Sequence, residues 1–147
     1  MIKISLFAIA LITLGCYHVS TTASVMDPSL HLARTCPAAV KLYLTGDRVN
    51  TGYREIALLN STGRTRDTNE EDMIKSMREK AARLGANGII LNGIDEPKAA
   101  TKVAAEATNV LTGYVTDLSP ERKGHALAIY VPTDSTDMRA ICAAAKR

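Results

Sequence analysis

The chain has 147 residues, 46% of them hydrophobic and 22% charged, which fits one globular domain. Its formal net charge of +3 is too small to indicate a nucleic-acid partner, and no aromatic side chains are interleaved with the basic ones. Aromatic residues make up 4% of the chain and tryptophan is absent, so we expect a core of Leu, Ile, Val, Ala and Met.

The amino terminus has the pattern of an export signal. Lys3 precedes an apolar run of 11 residues, 4–14. A transmembrane helix needs about 20 apolar residues, whereas a run of this length suits a cleaved signal peptide. Gly15 and Cys16 follow the run directly, and this ending resembles the lipobox of bacterial lipoproteins; Thr13 and Leu14 depart from that pattern.

The lipobox resemblance predicts a signal peptide over residues 1–15 and a lipidated Cys16. An ordinary secretory signal and an uncleaved apolar anchor are the alternatives. Several acyl chains on one cysteine would keep the protein on a membrane. Tyr17 follows the cysteine where enterobacterial lipoproteins retained in the inner membrane carry Asp, so the resemblance implies the outer membrane, with the domain facing the periplasm.

Residues 16–35 are predicted to be a flexible tether that follows the anchor. The stretch Ser20–Ser24 is small and polar, as linkers are, and a random coil over the tether would reach about 25 Å. Leu30 and Leu32 have the character to pack on the domain, which is predicted to span residues 36–147.

Two strands are predicted to open the domain. Val40, Leu42 and Leu44 alternate with more polar residues, a period of two that indicates a strand with one buried face. The second strand is predicted over residues 54–60, with Ile56 and Leu58 on the inward face.

A helix follows, with Thr68 and Glu71 at capping-box spacing. Its predicted apolar stripe contains Ile74, Met77, Ala81 and Leu84. Gly85 stands where a glycine commonly ends a helix.

The remaining elements complete an α+β pattern. Ile89–Leu91 is a short apolar run typical of a central strand, and His125–Val131 alternates as a strand. Residues 99–111 fit either a helix or an insertion, and residues 134–146 a terminal helix. The predicted fold is a single α+β domain of order β-β-α-β-(α)-β-α, with a four-stranded sheet packed against one main helix.

Cys36 and Cys142 form an even pair in a chain with an export signal, which favours a disulfide between the two ends of the domain. Two free buried thiols are the alternative.

No motif indicates catalysis, a cofactor or a metal. His18, His31 and His125 lie in none of the spacings that zinc sites use, and the sequence has no phosphate-binding loop or nucleophile elbow. The acidic run 70–72 lies at a predicted helix start, where it complements the helix dipole.

Three segments resemble the RcsF-like and YbjQ-like small domains: Tyr53–Ala57, Lys80–Ile90 and Ala126–Tyr130. In those families a helix ending in Leu-Gly-Ala-Asn/Asp-Ala leads into a central strand; here Gly88 replaces the last alanine. The resemblance covers residues 38–131 and implies the small α+β fold of those domains. The cysteine positions do not allow the RcsF disulfide pattern to be transferred to this chain. Gly85 suits a left-handed helix end, Ala86 is small enough to pack under the sheet and Asn87 suits a turn cap, so these three residues are predicted to be a structural motif.

The resemblance also implies a function, since RcsF is an outer-membrane lipoprotein that senses envelope stress. The expected protein is a non-enzymatic envelope lipoprotein, without a cofactor, that acts as a sensor or protein-interaction domain. Its expected partners are the membrane, through the lipid, and another envelope protein. A small-ligand or metal-binding envelope module is the alternative.

Overall fold

The computed structural model describes residues 19–49, 52–98, 107, 120–132 and 135–145. Its elements, in chain order, are β1 (Ser20–Val25), a 3-10 turn (Pro37–Ala39), β2 (Lys41–Leu44), β3 (Arg54–Arg64), α1 (Glu70–Arg83), β4 (Gly88–Asp95), β5 (Glu121–Tyr130) and α2 (Ser135–Ala144). The five strands form one mixed sheet in the order β1-β3-β5-β4-β2. β2 and β4 pair in parallel, and the other neighbours are antiparallel.

The core lies between α1 and one face of the sheet. Met73, Met77, Ala81 and Ala82 are the buried residues of α1. The strands meet the helix with small and branched side chains, and the buried cluster includes Ala57, Leu59, Ile89, Ala126 and Ala128. Alanines on both sides let the helix approach the sheet closely, and the burial of this apolar area stabilises the layer pair. The prediction of an α+β domain is confirmed.

The predicted four-stranded sheet is wrong, because β1 adds a fifth strand from within the predicted tether. β1 pairs with β3 from Ser20↔Thr62 to Val25↔Ala57. Ala23 packs against the core, and the Thr21 hydroxyl contacts the Ser76 hydroxyl of α1 at 2.7 Å. Small and hydroxyl side chains, which are typical of linkers, also fit this narrow space under the helix. The element order therefore begins with a strand that the sequence pattern did not predict.

A bulge in β3 overturns the prediction that Leu58 faces inward. The register of β3 against β5 shifts between Glu55 and Ala57, so that two residues of β3 oppose one of β5. Ile56 and Ala57 are both buried, and the alternation after them is reversed, which leaves Leu58 exposed.

The start of α1 lies one residue later than the sequence predicted. The Asn69 side chain accepts a hydrogen bond from the Asp72 N–H at 2.8 Å, and Asp72 accepts from the Asn69 N–H at 3.0 Å. The predicted Thr68–Glu71 box is wrong because the Thr68 hydroxyl donates instead to the Arg64 carbonyl at 2.6 Å. The buried stripe begins at Met73, and Ile74, which the sequence placed in the stripe, is only half-buried.

The predicted helix over residues 99–111 lies outside the described residues, apart from position 107, which is helical. The terminal helix is present as α2 and packs against the 3-10 turn.

Candidate functional site

Cys16, the predicted lipidation site, lies outside the described residues, which begin at Val19. Its modification stays a prediction. No helix in the described part of the chain is long and apolar enough to cross a membrane.

Cys36 and Cys142 are joined by a disulfide with a Cα–Cα distance of 5.6 Å across 106 positions of sequence. Cys36 immediately precedes the 3-10 turn, and Cys142 lies in the last turns of α2. Because α2 packs on that same turn, its helical face brings the second sulfur to the first. The bridge connects the last helix to the segment that leads into β2.

A groove of about 420 Å³ opens beside the disulfide, between residues 33–36 and α2. Arg34 and Arg139 line it from opposite sides, together with Ala33, Thr35 and Met138. The Thr35 hydroxyl lies 3.7 Å from the Cys142 sulfur and 3.9 Å from the Met138 sulfur. The described lining residues carry two positive charges and no negative one, so the groove has the charge to attract an anion.

The motif Gly85-Ala86-Asn87 is part of the packing that joins α1 to the sheet. Gly85 has a φ of +81°, and a Cβ there would lie 2.8 Å from the Ala33 carbonyl oxygen. Glycine is therefore required both by the left-handed backbone and by the close approach of the segment that precedes Cys36. Ala86 is fully buried in the core.

Asn87 connects three strands. Its side chain accepts from the Val131 N–H at 2.7 Å and donates to the Val131 carbonyl at 2.8 Å. Its backbone N–H donates to the Ile129 carbonyl, and its own carbonyl accepts from the Lys41 N–H at 3.0 Å. The Asn87 side chain thus makes the pair of hydrogen bonds that a backbone partner would make between the start of β4 and the end of β5, and its role is structural.

His18 lies outside the described residues, and neither His31 nor His125 lines the disulfide groove. His125 is exposed on the sheet face opposite α1, and its Nδ1 lies 2.8 Å from the Asn60 Oδ1. His31 is exposed in the segment after β1. Within the described ranges, no group of three or more His, Cys, Asp or Glu side chains is placed to hold a metal ion.

Two short basic clusters that are far apart in sequence, Arg64/Arg66 and Arg122/Lys123, meet at one end of the sheet. The β3–β5 register places Gly63 opposite Arg122 and Arg64 opposite Glu121. Arg122 forms an ion pair with Glu96 and donates to the Thr68 carbonyl at 2.9 Å. Acidic partners from other elements therefore interrupt the positive charge, and sequence spacing alone did not show this cancellation.

Comparisons with known proteins give one structural likeness. No family model and no curated relative matches the chain. The chain is similar to the crystal structure of FvfA, a Francisella virulence factor, with 19% sequence identity and a TM-score of 0.50. The match covers 76% of this chain and 97% of FvfA. At this identity the likeness concerns the fold alone.

Proposed function

We propose that this chain is a bacterial cell-envelope lipoprotein, anchored in the outer membrane through Cys16, whose α+β domain is a non-enzymatic sensor or protein-interaction module facing the periplasm. The observation that carries the proposal is the apolar run that ends at Gly15-Cys16 and leads into the domain. The Cys36–Cys142 disulfide supports it, because structural disulfides are typical of exported proteins. The resemblance to RcsF-like domains supports a sensing role.

On this proposal the domain is held close to the bilayer. β1 begins at Ser20, four positions after Cys16, and four extended residues span at most about 14 Å. A flexible 16–35 tether would have let the domain explore about 25 Å. Partners are therefore expected at the membrane surface or in proteins embedded in it, within direct reach of the domain.

The anchor is tested by the intact mass of the native protein and by membrane fractionation. We expect a mass that lacks residues 1–15 and carries acyl chains. A Cys16→Ser variant should lose the acyl mass and leave the membrane fraction, whereas Cys36→Ser, the matched control, should stay acylated. An unmodified Cys16 in the wild-type protein contradicts the anchor.

The interaction role is tested separately, by crosslinking intact cells and identifying proteins that co-purify with the chain. A reproducible envelope partner that is lost in Cys16→Ser cells is expected. Capture of no envelope protein by the membrane-bound wild type contradicts the interaction role while leaving the anchor standing.

The second candidate is an envelope module that binds a small ligand or a metal, and the groove beside the disulfide favours its small-ligand form. Arg34 and Arg139 next to an apolar floor suit a small anion with an apolar part. Dodecanoate, added in a thermal-shift assay, should raise the melting temperature by mass action, and an Arg34→Ala/Arg139→Ala variant should lose that gain. No shift with the wild type contradicts this candidate.

A further inference from the structure

The last helix, α2, packs loosely on the domain. Among the residues of α2 whose side chains are described, 137–144, none is buried, and only Met138 and Cys142 are half-buried. Ile141, an apolar side chain on the same helix, is 37% exposed. α2 packs mainly on the 3-10 turn, and the hydrophobic core in the described part of the chain contains no residue of α2. The sheet and α1 therefore keep their core whether or not α2 is docked.

The other end of the Cys36–Cys142 bridge is fixed to the core. The Thr35 N–H donates to the Ala82 carbonyl, near the end of α1, at 3.0 Å. Ala39 and Val40, which follow soon after Cys36, are both buried. Cys36 thus belongs to the rigid part of the domain, and opening the bridge frees α2 while the 3-10 turn stays in place.

The disulfide is accessible from solvent. Cys36 and Cys142 are both half-buried, and both line the groove of about 420 Å³. Disulfides enclosed in a core resist reduction, whereas exposed ones are the labile, regulatory or catalytic ones. A small thiol can reach these sulfur atoms through the groove without unfolding the domain.

The groove favours the thiolates on which exchange depends. Arg34 and Arg139 place two positive charges beside the bridge. The Thr35 hydroxyl lies 3.7 Å from Cys142 Sγ, and it is the donor because a disulfide sulfur carries no hydrogen. Both features stabilise a thiolate, and a more stable thiolate leaves a disulfide faster. α2 ends at Ala144, so a partial negative charge of about half a unit lies near Cys142, and the two full positive charges oppose it.

We propose that the Cys36–Cys142 bridge is a thiol–disulfide exchange site for a dithiol, and that its reduction releases α2 from the folded domain. One thiolate of the dithiol attacks Cys36 Sγ, so a mixed disulfide forms there and the Cys36–Cys142 bond breaks. Cys142 leaves as the thiolate and takes a proton from water. The second thiol of the dithiol gives its proton to water and attacks its own partner sulfur, which releases the Cys36 thiolate to be protonated in turn. The dithiol becomes a disulfide, and its two electrons reduce the two cysteines.

The consequence of exchange is a change in the surface of the domain. α2 supplies one wall of the groove, so its release separates Arg139 from Arg34 and removes any ligand site between them. The exchange chemistry requires only the domain and does not depend on the anchor at Cys16. Its use as a signal rests on the proposed sensing role, in which a reduced dithiol is the stimulus and the released helix is the response.

The first test treats the full chain, in detergent and without denaturant, with dithiothreitol, a small dithiol. Alkylation and intact mass count the new thiols, and hydrogen exchange of peptides reports on each element. We expect two new thiols per chain, with amide exchange about tenfold faster in α2 and unchanged in α1 and β5. Reduction only in denaturant, an α2 that stays protected after reduction, or loss of protection in α1 as well overturns the proposal. Thiols counted before reduction are subtracted, so a free Cys16, which contradicts the anchor, leaves this result unaffected.

A variant without the bridge supplies an independent check on the release of α2. Cys36→Ser/Cys142→Ser should remain folded and show the fast exchange of α2 with no reductant present. Dithiothreitol should change nothing further in this variant. If α2 is as protected there as in the oxidised wild type, the bridge does not hold the helix, and the proposal is wrong.

The second test concerns the two arginines of the groove. Arg34→Ala/Arg139→Ala should slow reduction by about fivefold at low salt, because the attacking and leaving thiolates lose two attractive charges. Arg34→Lys/Arg139→Lys should restore most of the rate. Arg48→Ala/Arg66→Ala, the matched control, removes two exposed charges that do not line the groove and should react within about twofold of the wild type. Equal slowing in both alanine variants, or in neither, contradicts the assignment of the groove as the exchange site.

Discussion

Replacing Asn87 with alanine should destabilise the domain far more than its single amide suggests. The side chain is 1% exposed and satisfies both the N–H and the carbonyl of Val131. Truncation removes two hydrogen bonds, each worth about 1 kcal/mol net, and leaves two backbone groups without these partners in a buried site. The expected loss in free energy of unfolding is about 2–4 kcal/mol. For a domain of this size that lowers the melting temperature by roughly 10 °C.

The assay is urea denaturation followed by far-UV circular dichroism, since the chain has no tryptophan for fluorescence. Asn92→Ala is the matched control, because Asn92 is an exposed asparagine in the same strand, β4. It should change the free energy of unfolding by less than about 0.5 kcal/mol. If Asn87→Ala lowers the free energy of unfolding as little as Asn92→Ala does, the Asn87 side chain does not hold β4 and β5 together, and the structural role of the motif is refuted.

Replacing Cys36 and Cys142 together with serine should lower the free energy of unfolding by up to about 4.7 kcal/mol, which urea denaturation measures. The reason is that the disulfide closes a loop across 106 positions, and without it the unfolded chain gains conformational entropy. Gly88→Ala should cost about 1–3 kcal/mol, measured in the same way, because its Cβ would lie 2.9 Å from the Tyr43 ring. The Ser29 hydroxyl and N–H donate to Asp27 and lower the pKa of that carboxyl below 3.8. The resulting stability is present above pH 3.8 and is lost as the pH falls through the lowered pKa, so Asp27→Asn should flatten the acid end of a stability–pH profile.

Each of these predictions has a contrary outcome. Two reactive thiols per chain in the unfolded, non-reduced protein, in addition to any at Cys16, would show that Cys36 and Cys142 are unbridged. Gly52→Ala is the control for Gly88→Ala, since nothing lies within 4 Å of a Cβ at Gly52, and equal costs would contradict the close approach at Gly88. Ser29→Ala removes the hydroxyl donor and keeps the N–H, so it should flatten the acid profile in part, and an unchanged profile in both variants would contradict the lowered pKa.

The helix α1 was predictable because its signals are local. Acidic residues at its start, basic residues at its end and Gly85 beyond it all act within one or two turns. Its exact cap was not predictable, since Thr68 and Asn69 both suit the position by type. The Arg64 carbonyl at the end of β3 decides between them by accepting the Thr68 hydroxyl, and that contact depends on the path of the strand.

The disulfide groove and the β1 edge depend on contacts between segments that are distant in sequence. The even number of cysteines that remain besides Cys16 favoured the Cys36–Cys142 bridge. No local sequence pattern, however, places Arg34 and Arg139 on the two sides of a groove. The edge was missed because β1 carries no hydrophobic alternation: its Ser, Thr and Ala residues match a linker in composition. Pairing with β3 makes them a strand.

By itself, the sequence determined the class of the domain, its main helix and the turn at Gly85-Ala86-Asn87, because the 3.6-residue and two-residue periods and a glycine-dependent backbone are encoded locally. Tertiary structure decided the fifth strand, the bulge that turns Leu58 to solvent and the acidic partners that offset the basic clusters at one end of the sheet. Each of these depends on which strand lies beside which, and strand pairing joins residues tens of positions apart. The signal at Cys16 is local, so the sequence alone shows it, whereas the surface of the domain depends on the tertiary structure.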